Sequence, residues 1–315
     1  MIQAVVYDSS ITGRFAIRKV EAPKATLLEA LVQVEAFSLN QGEVRDASDY
    51  GDGYRPGWDF AGIVIEPATS GIGPKKGTRV FGLLTGGAWA EQIAVPVPSM
   101  TEIPEGISVT QAATLPVAGL SALYTLRKGG LLIGKRLLIT GSSGGVGLML
   151  HQLASLSGAW TVGTARSQEK AGWVQDAGAD QVIVGEFPPI GAKVSGPYDL
   201  IIDSVGGDTL TALVPMLKPG ATLVSMGYSA SSTAHFDIHA FTGAGGRTLY
   251  GFFLGEELGR QNGPADLALL GQLVVEQKLK PHLSIEAPWT DLNEVAHRLL
   301  NREFAGKVVL RIGTE

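Results

Sequence analysis

Arg136-Leu-Leu-Ile-Thr140 runs directly into Gly141-Ser142-Ser143-Gly144-Gly145-Val146-Gly147, and Leu148–Leu156 follows with the pattern of a helix. A short apolar run, a glycine-rich turn and a helix in that order place the turn at the carboxyl end of a strand. Gly141 permits the tight turn out of the strand, Gly144 lets the backbone approach a pyrophosphate, and Gly147 lets helix and strand pack closely. The helix start then offers unpaired N–H groups and a partial positive charge to phosphate oxygens. Taken alone, such a loop is equally a piece of turn chemistry. Its place between strand and helix, at the head of several such units, selects the dinucleotide-binding reading.

Downstream, Trp160–Ala165, Gln181–Val184, Leu200–Asp203 and Thr222–Met226 are apolar runs, and helix-length stretches separate the early ones. This alternation predicts βαβ units and an α/β fold with a doubly wound parallel sheet covered on both faces. Upstream, short strand-like runs at Ala4–Tyr7, Leu31–Phe37, Gly62–Glu66, Arg79–Leu84 and Gln92–Val97 alternate with Gly and Pro turns, which predicts a compact, barrel-like β domain. After Gly263, Pro264–Lys278 reads as an amphipathic helix stopped by Pro281. Thr290 reads as the N-cap of a helix over Asp291–Asn301, and Lys307–Ile312 as a closing strand. The expected organisation is a β-rich domain over residues 1–115, completed by 264–315, around a nucleotide-binding domain over 116–263.

A chain of 315 residues exceeds what one hydrophobic core usually serves, in keeping with two domains. Hydrophobic residues at 45% and charged residues at 17% describe a globular protein. A net charge of −5 gives no electrostatic reason to expect nucleic acid or anionic membrane as a partner. Neither a signal peptide nor an apolar run of roughly 18 residues is present, so a cytoplasmic protein is expected. Cysteine is absent, which removes disulfides, thiolate nucleophiles and cysteine-ligated metals. His235 and His239, four apart, would share a helical face as a metal pair, but no glutamate general base accompanies them.

The residues also address cofactor choice. An NAD-specific Rossmann domain carries an Asp or Glu at the end of its second strand, about 20 residues beyond the first glycine. Here Trp160-Thr-Val-Gly-Thr-Ala-Arg-Ser167 contains no acid; Arg166 and Ser167 stand in that place, with Lys170 one helical turn on. A guanidinium with a neighbouring hydroxyl suits the 2′-phosphate of NADP(H). The other reading makes Ser167 a plain N-cap and Arg166 a solvated side chain.

Beyond the glycine loop, Leu115-Pro-Val-Ala-Gly-Leu-Ser-Ala-Leu123, Gly134-Lys-Arg136, Asp203-Ser-Val-Gly-Gly207, Asn40, Gly57-Trp-Asp-Phe-Ala-Gly62, Gly86-Gly-Ala-Trp-Ala-Glu91 and Gly306-Lys-Val-Val-Leu310 occur in order along nearly the whole chain. Together they resemble the zinc-independent quinone oxidoreductase, zeta-crystallin-like, branch of the medium-chain dehydrogenase/reductase superfamily. The resemblance implies a GroES-like catalytic domain, a Rossmann domain, an active-site cleft between them and NADP(H) as cofactor. It places Asn40 beside the nicotinamide ribose and the substrate, with a loop-capping role as the alternative. It gives Ser204, Val205 and Gly227 to the cofactor as well. Phe252-Phe253-Leu254 resembles the segment lining the nicotinamide, although such a pair is also common in cores, and Lys307 resembles a terminal lysine that reaches the cofactor, or is a surface lysine. Relatives often carry a tyrosine shortly after the asparagine; here Arg45 falls near that place, with Tyr50 and Tyr54 further on, so no proton donor is assigned. The strand expected at Arg247–Phe253 would lie at the sheet edge and invite pairing into a homodimer.

The leading expectation is an NADPH-dependent reductase of a quinone or an α,β-unsaturated carbonyl. A pathway-specific enoyl reductase or alcohol dehydrogenase, and an NADPH-binding protein with a structural or regulatory role, are the alternatives. Zinc-dependent relatives hold their metal with a cysteine in the early loop and a Gly-His-Glu segment. The corresponding stretches here read Ser38-Leu39-Asn40-Gln41-Gly42 and Gly57-Trp58-Asp59, and neither Asn40 nor Trp58 replaces a thiolate or imidazole ligand. Elemental analysis of the purified protein is expected to find no stoichiometric zinc, and a strong chelator to leave turnover unchanged. Stoichiometric zinc whose removal abolishes turnover contradicts this.

Overall fold

The computed structural model describes residues 1–185, 187–243 and 245–313. It divides into two compact units, one of Met1–Leu120, Gln261–Gln277 and Pro281–Glu315, the other of Ser121–Arg260 with Lys278–Lys280. The expected segment to residue 315 ends in two residues, Thr314 and Glu315, that lie outside the described ones.

The first unit opens with an antiparallel pair, β1 (Ile2–Tyr7) and β2 (Phe15–Val20). The chain continues through β3 (Glu29–Ser38), α1 (Gln41–Arg45), β4 (Asp59–Glu66), β5 (Arg79–Leu83), β6 (Gln92–Pro96), β7 (Met100–Glu102) and α2 (Val109–Ala113) to α3 (Pro116–Arg127). Within α3 it passes into the second unit. There, β8 (Arg136–Ile139), α4 (Gly145–Leu156), β9 (Trp160–Ala165), α5 (Gln168–Asp176), β10 (Gln181–Val184), β11 (Tyr198–Asp203), α6 (Gly207–Leu213), β12 (Leu217–Ser225), α7 (His239–Thr242), β13 (Thr248–Gly251) and α8 (Leu254–Leu258) follow. The chain closes in the first unit with α9 (Gly263–Val275), β14 (Leu283–Pro288), α10 (Leu292–Leu300) and β15 (Lys307–Arg311).

In the second unit six parallel strands stand in the order β10-β9-β8-β11-β12-β13. The order reverses between β8 and β11, so the loops leaving their carboxyl ends diverge and open the crevice in which such sheets take ligands. Leu138, Val162, Ile201 and Leu223 from four neighbouring strands share one buried cluster with Leu213 and Met216. In the first unit the sheet runs β14-β15-β3-β4-β5-β7, with β6 paired on β3. Its core includes Trp89, fully buried, stacked on Phe37 at 5.4 Å between ring centroids and edge-on to Phe15 at 5.6 Å. Rings in these arrangements add about 0.5–1.5 kcal/mol each beyond the area they bury. No helix among the described residues is long and apolar enough to cross a membrane.

Three local expectations are corrected. Helix α9 ends at Val275 rather than Lys278: Gln277 adopts a left-handed φ of +56°, so Pro281 is not its stop. Lys278–Lys280 then joins the second unit, where Gln152 both accepts from the Lys280 N–H (2.7 Å) and donates to its carbonyl (3.1 Å). Thr290 is not an N-cap; it sits in a tight turn, Trp289–Asp291, and α10 begins only at Leu292, after Asp291. His235 precedes α7 and His239 begins it, so the two do not lie on one helical face.

His151, on α4, is fully buried; its Nδ1 lies 2.9 Å from the Thr161 hydroxyl. Burial pulls its pKa down from 6.5 to about 3. The folded state therefore keeps this ring neutral where the unfolded chain protonates it. Its contribution is complete above about pH 6.5 and is lost as pH falls towards 3, by up to about 5 kcal/mol. Between pH 7 and 4.5, urea unfolding should show His151→Leu losing about 2–3 kcal/mol less than the parent protein. Equal losses in the two proteins contradict this assignment.

Candidate functional site

Gly141 leaves β8 with φ +63°, and a Cβ there would lie 2.1 Å from the Ser204 Oγ. At Gly147 a Cβ would lie 2.5 Å from the carbonyl oxygens of Gly141 and Ser142, so α4 can approach its strand this closely only with glycine. Ser142 is buried: its hydroxyl donates to the Ile139 carbonyl (2.7 Å) and accepts from the Thr164 N–H (3.0 Å), fastening the loop to β8 and β9. Ser143, Gly144, Gly145 and Val146 form the partly open rim. Gly144 occupies the N-cap of the twelve-residue α4, and no side chain caps it. The first-turn N–H groups therefore lack the side-chain acceptor that Ser, Thr, Asp or Asn would bring.

Asp203, at the end of β11, braces this edge. Its carboxylate accepts from the Thr140 hydroxyl (2.5 Å), the Val205 N–H (3.2 Å) and the Gly206 N–H (2.8 Å), while burial raises its pKa. Ser204 in turn donates its N–H to the Thr140 hydroxyl at 3.1 Å, and a Cβ on Gly227 would lie 3.0 Å from the Ser204 carbonyl oxygen. Ser204, Val205 and Gly227 thus gather beside the glycine loop. An uncapped helix start, a small-residue cradle and no acidic side chain over 141–147 fit the pyrophosphate of a dinucleotide. Further along, Phe252 hydrogen-bonds through its N–H to the Ser225 carbonyl at 2.8 Å, Phe253 is 68% exposed, and Leu254 opens α8. Sequence reading missed what anchors this segment: the buried Glu257 carboxylate pairs with Lys128 Nζ at 2.9 Å and accepts the Tyr250 hydroxyl. Exposure of Phe253 removes the core reading of that residue.

At the end of β9, Arg166 is exposed and its guanidinium carbon stands 5.3 Å from the centroid of the Phe187 ring. Ser167 caps α5, its hydroxyl oxygen accepting from the Lys170 N–H at 3.3 Å. The cap leaves the Ser167 proton free to donate, so capping and anion binding are compatible at this residue.

Asn40 belongs to a different cluster, in the first unit. Its Nδ2 donates to Asp59 (2.8 Å) and Glu43 (3.2 Å), its backbone N–H to Glu43 (2.7 Å), and its Oδ1 accepts from Lys307 Nζ (2.6 Å). Lys307 is buried and donates also to the Leu39 carbonyl (2.9 Å) and to Asp59 (3.3 Å). The surface-lysine reading is therefore excluded, and the ammonium spends three bonds inside the protein. Asp59, wholly buried, further accepts from the Ser38 hydroxyl (2.5 Å) and the Val117 N–H (2.8 Å). Glu43 also accepts from the Trp58 N–H at 2.8 Å. Burial, reinforced by the charge of Asp59, pushes the Glu43 carboxyl up to about 8, against the opposing pull of Lys307 and the N–H donors. The sequence alone did not single out Glu43 and Asp59 as site residues, although the spacing Asn40-x-x-Glu43 is a capping-box pattern. Among the described residues no group of three His, Asp or Glu side chains is placed to hold a metal.

A six-stranded parallel sheet with this glycine loop, inserted into a β-rich unit, is the plan of a medium-chain dehydrogenase/reductase. A family model for the zinc-binding dehydrogenases matches residues 145–272. The chloroplast envelope quinone oxidoreductase homolog of Arabidopsis thaliana is 30% identical over 72% of this chain and 75% of its own length. The tomato (Solanum lycopersicum) 2-methylene-furan-3-one reductase is 33% identical over 54% of this chain and 45% of its own. The structure of Escherichia coli quinone oxidoreductase complexed with NADPH superposes with a TM-score of 0.88 at 22% identity, over 98% of this chain and all of that one, a likeness of fold. The chain belongs to the zinc-independent quinone oxidoreductase branch of that family.

Removing the Lys307 ammonium would leave the buried Asp59 carboxylate without its countercharge. Lys307→Met is expected to cost about 3–5 kcal/mol in chemical denaturation, and adding Asp59→Asn to recover part of it. A loss below about 1 kcal/mol would show that the pair holds little of the fold together.

Proposed function

We propose that the protein is an NADPH-dependent, metal-independent reductase whose acceptor is a quinone or an α,β-unsaturated carbonyl. The observation that carries this reading is the end of β9, where an exposed guanidinium replaces the carboxylate that would bind two ribose hydroxyls. The glycine loop and the start of α4 would take the pyrophosphate; Arg166, Ser167 and Lys170 the 2′-phosphate; and Ser204, Val205, Gly227 and Phe252–Leu254 the remainder of the cofactor. When bound, NADPH supplies a hydride. Conjugated acceptors are favoured over simple ketones because the chain carries no zinc ligand set to polarise an isolated carbonyl. The tomato relative, named as a reductase of a conjugated ketone, supports the same substrate class.

Asn40 is the residue we assign to the reacting end. Both amide hydrogens point at carboxylates and Lys307 takes the oxygen, so the side chain is held in one orientation and retains one oxygen lone pair. Lys307 then serves the cofactor site through Asn40. Strand β13, with Leu249 39% exposed and a strand partner on one side only among the described residues, is the edge offered to a second copy.

Steady-state kinetics with NADPH and NADH against a panel of quinones, enones and saturated ketones tests this reading. Turnover should favour NADPH and the conjugated acceptors. Arg166→Ala should raise the NADPH KM about ten- to a hundredfold and leave NADH nearly unchanged. A preference for NADH, or equal weakening of both cofactors, overturns the cofactor assignment; a preference for saturated ketones overturns the acceptor assignment.

A further inference from the structure

Arg166 makes no hydrogen bond and no ion pair among the described residues, and its guanidinium stands over the Phe187 ring. Two loops bring them together. Arg166 follows Ala165, the last residue of β9, and the Gly185 N–H, just beyond β10, donates to the Ala165 carbonyl at 2.8 Å. That bond fastens the start of the Phe187 loop to the end of β9. On its far side the loop is held by the Ile190 N–H on the Pro188 carbonyl (2.9 Å) and by the buried Tyr198 hydroxyl on the Ala192 carbonyl (2.6 Å). Both ends of the loop are thus held by hydrogen bonds, and the ring between them is 37% exposed rather than sunk in a core.

We propose that Phe187 is a specificity-determining residue that positions the Arg166 guanidinium for the 2′-phosphate of NADPH. This rests on the cofactor reading above. A guanidinium over a ring is attracted to its face while the in-plane N–H donors stay free. A salt bridge at the same place would hold the arginine equally well but would consume those donors. The ring thus restrains a flexible side chain without competing with the anion, which lowers the ordering cost when the phosphate arrives. Phe187 acts on NADPH through Arg166, and NADH, which has no 2′-phosphate, is indifferent to it.

The test is calorimetric binding of NADPH, NADH and adenosine 2′,5′-bisphosphate to the full-length protein and to Phe187→Leu, Phe187→Tyr, Arg166→Ala and the Phe187→Leu/Arg166→Ala pair, with thermal unfolding to establish that each is folded. Phe187→Leu should weaken NADPH and the bisphosphate roughly three- to fivefold, leave NADH unchanged, and add nothing in the Arg166→Ala background. Phe187→Tyr should restore parental binding. Equal weakening of NADPH and NADH by Phe187→Leu, or a full effect without Arg166, overturns the inference while the cofactor reading stands. If Arg166→Ala leaves the NADPH-to-NADH ratio of affinities unchanged, the cofactor reading itself fails and this inference fails with it.

Discussion

The start of helix α4 constrains the nucleotide-binding unit. A helix of twelve residues presents several N–H groups at its start, and here the N-cap residue is Gly144, which has no side chain to satisfy them. That deficit is tolerable at an edge open to water or to an anion and costly in a core. The surrounding residues are arranged to keep this edge open and rigid. Gly141 and Gly147 remove the Cβ atoms that would collide, Ser142 fastens the loop from behind, and Asp203 gathers three donors to fix the neighbouring β11 turn. The strand order makes this the place where two loops part.

In the β-rich unit the corresponding node is Asp59. One carboxylate receives the Ser38 hydroxyl, the Asn40 amide, the Lys307 ammonium and the Val117 N–H, and so joins β3, the turn before α1, β15 and the start of α3. Buried charge of this kind holds a fold only if every lone pair and proton finds a partner. Here a lysine supplies the countercharge and reaches Asn40 and Asp59 together. The ammonium and the Asp59 carboxylate neutralise one another directly, and Asn40 is oriented as a consequence.

Local pattern carried much of this into the sequence. Strands β9 and β10 were legible to the residue: β9 because a parallel sheet buries both faces of an inner strand, and β10, half-buried at the sheet edge, because it is a short apolar run bounded by turns. The glycine loop was legible because each glycine answers a separate steric demand. Strands β2 and β14 were not singled out: their burial is partial, and β14 alternates half-buried with exposed residues and ends in a proline. The Asp59 node was invisible for another reason. Lys307 and Leu39 stand 268 residues apart, and no spacing rule reports a bond of that range. Phe187 was equally hidden, since a lone aromatic in a loop acquires meaning only from the guanidinium above it. The helix ends at Val275 and Leu292 were misplaced because backbone conformation at Gln277 and a tight turn at Trp289 outweighed the proline and threonine signals.

The central claim is that this chain moves a hydride from NADPH to a conjugated acceptor without a metal. Its most direct measurement uses metal-free protein, NADPH deuterated at C4 of the nicotinamide, and an open-chain enone whose product is analysed by mass spectrometry and NMR. The account predicts one deuterium per product molecule, at the β-carbon, from one of the two C4 positions. A product without deuterium, deuterium on the carbonyl carbon of an allylic alcohol, or transfer only after zinc is restored would contradict it.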